Sequence, residues 1–214
     1  MSEIALSGNI AQKNSGFSQA VLWGVLAGWF ALVLVLGSNN LFVARTGAPP
    51  LALLLAATAP IAVFLFSVSL SAGVREFILT ADLRLPTAVQ AWRFAGYSFL
   101  VLYSYGHLPG YFAWPAGVGD MLIGVTAPLV LARITNPGFI QSRAFVAWNV
   151  LGILDLIVAI GMGALGSVLM ASSAGIPATT IMSQMPLVLI PTFFVPIFVM
   201  LHLIALLQAR RSAD

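Results

Sequence analysis

An all-α membrane domain with six transmembrane helices is the architecture this sequence predicts, and three features carry that expectation. Long apolar blocks recur along the whole chain, charge is scarce, and the basic residues crowd one side of the blocks. Charged residues make up 7% of the chain and hydrophobic ones 60%, whereas a soluble domain carries roughly 25% charged residues. Such a chain cannot cover a water-facing surface, so membrane lipid is its expected solvent and partner. With 214 residues shared among six spans, a single transmembrane domain over residues 1–214 is expected.

The apolar blocks are Phe17–Gly37, Pro50–Ser71, Thr87–Gly106, Val118–Ile134, Ala144–Ser167 and Pro186–Gln208. Most approach the ~20 residues that cross a ~30 Å hydrocarbon core at ~1.5 Å per residue. The polar stretch before the first block lacks a dense basic region, and the block is longer than a signal-peptide core, so it reads as a span. Alternating the flanks puts Lys13, Arg75, Arg84, Arg93, Arg133, Arg143, Arg210 and Arg211 on the side of both termini, with Arg45 alone opposite. Basic flanks stay cytoplasmic, so both termini are expected there.

The outer connections then fall at residues 38–48, 107–116 and 168–185. In the second, Tyr111, Phe112 and Trp114 suit an aromatic belt at headgroup level. Between spans two and three, Val74, Phe77, Ile78, Ala81 and Leu85 recur at helical spacing while Arg75, Glu76, Asp82 and Arg84 point elsewhere. That pattern predicts a short helix lying in the interface. Pro86 suits the first turn of the span that follows.

A weak repeat pairs AWRFAG from Ala91 with AWNVLG from Ala147, and Leu22-Trp23-Gly24 is a degraded third copy. Prolines fall in each returning helix, at Pro60, Pro128, Pro191 and Pro196. Three tandem helical hairpins would give this pattern. So would the ordinary enrichment of Trp, Gly and Pro in membrane helices.

The segments HLPGYFAWPAGVGD, WNVLGILDL and PLVLIPTF resemble those of a group of uncharacterised bacterial multi-pass membrane proteins. The resemblance covers Asp82 to Gln208 and implies a bacterial cytoplasmic (inner) membrane setting without supplying an activity.

Ionisable groups in hydrocarbon are costly and usually line protein interior or water. At ~100° per residue, Arg93, Tyr97, Ser104 and His107 share a face of the third span. On the fifth, Asn149, Gly152, Asp155, Ala159, Gly163 and Gly166 fill one strip, and on the fourth Asp120, Gly124 and Ala127 fall together. Stripes of this kind suit closely packed helices around a narrow polar core. Gly152 and Gly163 are expected where helices approach most closely. Residue counting puts Arg93, Asn149 and His202 toward the cytoplasmic end and His107 and Asp120 toward the outer end, with Asp155 roughly 10 Å deeper than Asp120. Arg93 either snorkels toward headgroups or reaches Asp155.

Several chemistries are disfavoured. Gly117-Val118-Gly119-Asp120 matches the GxGD signature of intramembrane aspartyl proteases, but no Asp lies in the first three spans to act as its partner. His107 and His202 are the only histidines and lie on opposite sides, which argues against a bis-histidine haem or a shared metal site. Ala171-Ser172-Ser173-Ala174-Gly175 echoes a nucleophile elbow without its strand–turn–helix setting. The chain has no cysteine, and its basic residues are scattered singly rather than gathered in a nucleic-acid patch. No cofactor, metal or nucleic acid is expected. The reading that remains is a polar intramembrane site of Arg93, Asn149, Asp155, His202, Tyr97, His107 and Asp120 that binds or transports a small solute, proton or ion. The alternatives are an accessory or scaffold subunit, partnered or homo-oligomeric, and a membrane-embedded enzyme using Asp120 and His107.

Overall fold

The computed structural model describes residues 2–45, 47–169 and 179–211, with side chains described for residues 19–45, 47–168 and 179–211. The serine-containing stretch at 171–175, residues 170–178 of the connection at 168–185, the Lys13 side chain and both chain ends lie outside them. The described residues are helical, with no strand among them. In chain order they form α1 (Ser2–Ser38), α2 (Leu51–Leu70), α3 (Ala72–Leu79), α4 (Arg84–Val89), a 3₁₀ segment (Gln90–Gly96), α5 (Tyr97–Ser104), α6 (Gly110–Arg133), α7 (Arg143–Leu169) and α8 (Val195–Arg211). A short 3₁₀ turn (Thr179–Ser183) and a π turn (Ile190–Phe194) precede α8.

Five helices among the described residues, not six, are individually long and apolar enough to cross a membrane: Gln19–Ser38, Leu51–Leu70, Gly110–Arg133, Arg143–Val168 and Ile190–Arg211. The third expected span is the exception. Thr87–Gly106 is covered by α4, the 3₁₀ segment and α5 in succession. Its 3₁₀ segment packs against α6 where Gly124 leaves no room for a side chain: a Cβ there would run into the backbone of Arg93 and Phe94. The tighter winding has a clear consequence. Side chains three apart eclipse in a 3₁₀ helix, and Thr87, Gln90, Arg93, Gly96 and Phe99 are all buried.

The fourth span also differs from expectation. It begins at Gly110, after Pro109, rather than at Val118. Gly, Pro and aromatic residues there read as a loop, but membrane helices tolerate proline when neighbours satisfy the freed backbone, and α6 contains both Pro115 and Pro128. Phe112 is therefore no headgroup-belt residue; it is buried with Phe99, Leu108, Ala113, Ala116 and Met182. Asp120, expected near the outer end, consequently lies near the middle of the 24-residue α6.

A short helix forms where one was expected, as α3, started by the Ser71 side chain accepting from the Val74 amide at 3.3 Å. It ends earlier than Leu85, at Leu79, and Pro86 falls in the first turn of α4. Of its apolar positions Ile78 is buried, while Phe77 and Leu85 stay exposed. The core runs between α6, α7 and α8, with α2 packed on α8 and on the π turn. α1 rests on that core through Trp29 and Phe30 against Phe193 and through Val33 beside Leu53 and Val188.

Candidate functional site

Arg93 is the centre of the described polar interior. Its side chain is fully buried, and its donors reach three other elements. Nε donates to Asp120 Oδ1 of α6 at 2.7 Å, and Nη2 donates to Asp155 Oδ2 of α7. Nη1 donates to the Gly152 carbonyl at 3.1 Å and to His202 Nε2 of α8 at 3.1 Å. The guanidinium also lies 6.0 Å from the centroid of the Phe198 ring. A planar fork of five donors suits this task, whereas an ammonium could not span it.

These bonds settle the state of His202. A guanidinium only donates, so Nε2 must accept and the ring proton sits on Nδ1. Nδ1 then donates to Asn149 Oδ1 at 2.8 Å, and Asn149 Nδ2 donates to the Phe145 carbonyl at 2.9 Å. The chain of bonds runs from Arg93 to the α7 backbone through a neutral imidazole. Trp148 packs edge-on against that ring at 5.3 Å, and its Nε1 donates to Thr126 Oγ1 at 2.8 Å.

Glycine makes room for three members of the cluster. A Cβ at Gly96 would strike the Asp120 side chain, one at Gly119 the Asp155 carboxylate, and one at Gly152 the His202 ring. Gly163, expected to be equally critical, is different. A Cβ there would meet Phe112 at 3.5 Å, an ordinary contact.

Both carboxylates keep some access, with side chains 13% and 14% exposed for Asp120 and Asp155. Asp120 forms part of the wall of a cavity of about 50 Å³ that also meets Ser167, Thr179 and Ser183 and is otherwise mostly apolar. Among the described residues no group of three or more His, Cys, Asp and Glu is gathered to hold a metal ion.

Of the residues singled out from the sequence, Arg93, Asn149, Asp155, His202 and Asp120 converge. Two do not. Tyr97 is 49% exposed, with its ring 5.9 Å from that of Phe94, and His107 lies exposed in the turn beyond α5. The 3₁₀ winding rotates Tyr97 away from the line of Arg93, because a step of ~120° replaces the helical ~100°. The hydrogen bond of Asp120 goes to Arg93, while His107 is exposed. Asp120 and Asp155 do not stand apart in depth, since both are held by one guanidinium.

A family model described as "Domain of unknown function (DUF8737)" matches residues 50–210, most of the chain. The chain belongs to the DUF8737 family. No curated protein and no solved structure matches it. The matched region holds the entire polar cluster, whereas α1 precedes it.

One residue of the DUF8737 interior escaped the sequence reading. Gln90 is 1% exposed, its Nε2 donates to the Phe198 carbonyl at 3.2 Å, and its Oε1 has no partner. The signal that finds it is the three-residue spacing from Thr87 through Gln90, Arg93 and Gly96 to Phe99, which a helical wheel disperses.

Proposed function

We propose that this DUF8737 protein binds one proton or one small monovalent cation at the Arg93–Asp120–Asp155 cluster and passes it between the two faces of the membrane. The observation that carries the reading is a charge count. Two carboxylates share one guanidinium, and the imidazole bonded to that guanidinium is neutral by its hydrogen bonds. One negative charge is left over in an interior where uncompensated charge is costly. A bound proton or monovalent cation balances it. The cavity beside Asp120 measures about 50 Å³, against a cavity of ~150 Å³ that admits benzene. It suits water or a small ion rather than an organic solute.

The test is uptake into liposomes of neutral lipid carrying the purified protein and internal dyes for pH, Na⁺ and K⁺. Wild-type protein should move one of these ions down an imposed gradient, and Asp155→Asn should abolish that flux. Wild-type liposomes no leakier than empty ones to all three ions would sink the proposal. The accessory-subunit reading would then lead. Gly24 and Gly28 favour it: they lie one turn apart on α1 and face open space, in a span only 11% buried.

The accompanying topology has six crossings, the third being the discontinuous stretch Arg84–Ser104. Its 6, 7 and 8 residues in α4, the 3₁₀ segment and α5 reach ~35 Å at the two helical rises, enough for a ~30 Å core. An even number of crossings keeps both termini on the basic, cytoplasmic side of a bacterial inner membrane. A three-hairpin repeat is supported by Arg93 and Asn149, equivalent positions of AWRFAG and AWNVLG, which hold opposite nitrogens of His202. The natural chain has no cysteine, so single cysteines at Ser38, Ser173 and Ser212 can be probed in intact cells with an impermeant reagent. The first two should label and the third should not. Labelling of Ser212 alone would invert the topology.

A further inference from the structure

We infer that the groove at the foot of α2, α3 and α8 binds the phosphate headgroup of one anionic phospholipid. This groove is separate from the Arg93 cluster. It measures about 410 Å³ and is lined by Val68, Ile78, Leu79 and Leu207 together with Ser69, Arg75 and Arg211. Apolar side chains beside two guanidinium groups match the two halves of such a lipid: acyl chain on the former, phosphodiester on the latter.

The groove is preformed. Gln208 Nε2 donates to the carbonyls of Ile78 and Ala81 at 2.7 and 2.9 Å, pinning α3 to α8. Arg75 folds back on the end of α2, donating from Nε to the Val68 carbonyl at 3.3 Å and from Nη2 to the Ser69 carbonyl at 3.1 Å. Those bonds fix its orientation and leave Nη1 for a ligand. Arg211 is held loosely, with Nη1 at 3.4 and 3.5 Å from the two Glu76 carboxylate oxygens and both groups largely exposed. A phosphate can take the remaining donors of Arg211 without breaking a buried bond. Among the described residues of α3, the turn after it, the start of α4 and the end of α8, Arg75, Arg84, Arg210 and Arg211 stand against Glu76 and Asp82, so the described charges there lean basic. On α2, whose Val68 and Ser69 line the groove, Phe66 and Leu70 are 67% and 71% exposed and offer apolar surface to an acyl chain.

The experiment uses the full chain in neutral detergent, titrated with dioleoylphosphatidylglycerol or dioleoylphosphatidylcholine, with bound lipid counted by native mass spectrometry. Wild-type protein should retain one phosphatidylglycerol in preference to phosphatidylcholine. Arg211→Gln should weaken that binding about fivefold, the effect expected of one basic residue near a lipid surface. Glu76→Gln, which frees Arg211 and removes a competing carboxylate, should tighten it. Arg143→Gln, the loss of an exposed arginine outside the groove, should leave it unchanged. Arg75 is left intact because its bonds to α2 are structural. Equal retention of the two lipids by wild-type protein would overturn the inference. So would unchanged binding in Arg211→Gln or Glu76→Gln, or a loss in Arg143→Gln as large as in Arg211→Gln.

Discussion

Arg93→Gln is expected to destabilise the protein by about 3–5 kcal/mol or more, the range seen when one partner of a buried ion pair is removed. Here the substitution strands two carboxylates rather than one, and it also takes donors from the Gly152 carbonyl and from His202. Arg93→Lys should recover part of the loss. Its ammonium restores the charge but has three donors on a point, so it cannot serve groups spread over α6, α7 and α8 at once. Thermal or denaturant unfolding of the purified variants in detergent orders the three proteins. The expected order is wild type above Arg93→Lys, with Arg93→Gln lowest. Equal stability of wild type and Arg93→Gln would mean that the carboxylates are compensated elsewhere.

How far this interior can be read in the sequence depends on how regular each helix is. The Asn149, Gly152 and Asp155 strip is legible because α7 is an uninterrupted α-helix, so a step of ~100° per residue holds along its length. All three residues contact Arg93 or His202, directly or through the space that Gly152 leaves. The long apolar helices α2 and α7 are likewise legible, since length and hydropathy alone define them. The third span is not. Its local winding is set by the close approach of Gly124 to the backbone of Arg93 and Phe94, a tertiary contact that AWRFAG does not reveal by itself. A helical wheel therefore places Tyr97 and His107 beside Arg93 and misses Gln90. Asp120 is misplaced for a second reason. Reading Pro109-Gly110 and Trp114-Pro115 as loop delays the start of α6 and moves a mid-helix carboxylate to the membrane edge. That shift makes Asp120 and Asp155 look like separate groups, when they are two ligands of one cation.

The charge count of that cluster also makes an unusual prediction about its two acids. If Arg93 serves both carboxylates and one negative charge is in surplus, losing either acid leaves a balanced pair. Asp120→Asn and Asp155→Asn should each change stability by no more than about 1 kcal/mol, since an asparagine oxygen still accepts from the guanidinium and the net ionic loss is small. The double variant is different. It leaves a buried guanidinium with no counter-charge and should fall by about 3–5 kcal/mol. The coupling between the two substitutions is then large and unfavourable, and a double-mutant cycle reads it directly. Measured as unfolding free energy in one detergent at fixed ionic strength, two near-neutral single variants and one severely destabilised double variant are the outcome that a shared cation with surplus negative charge requires. Additive losses, or a single variant as unstable as the double, would show that Arg93 depends on one of the two acids and that no spare negative charge is held in the membrane.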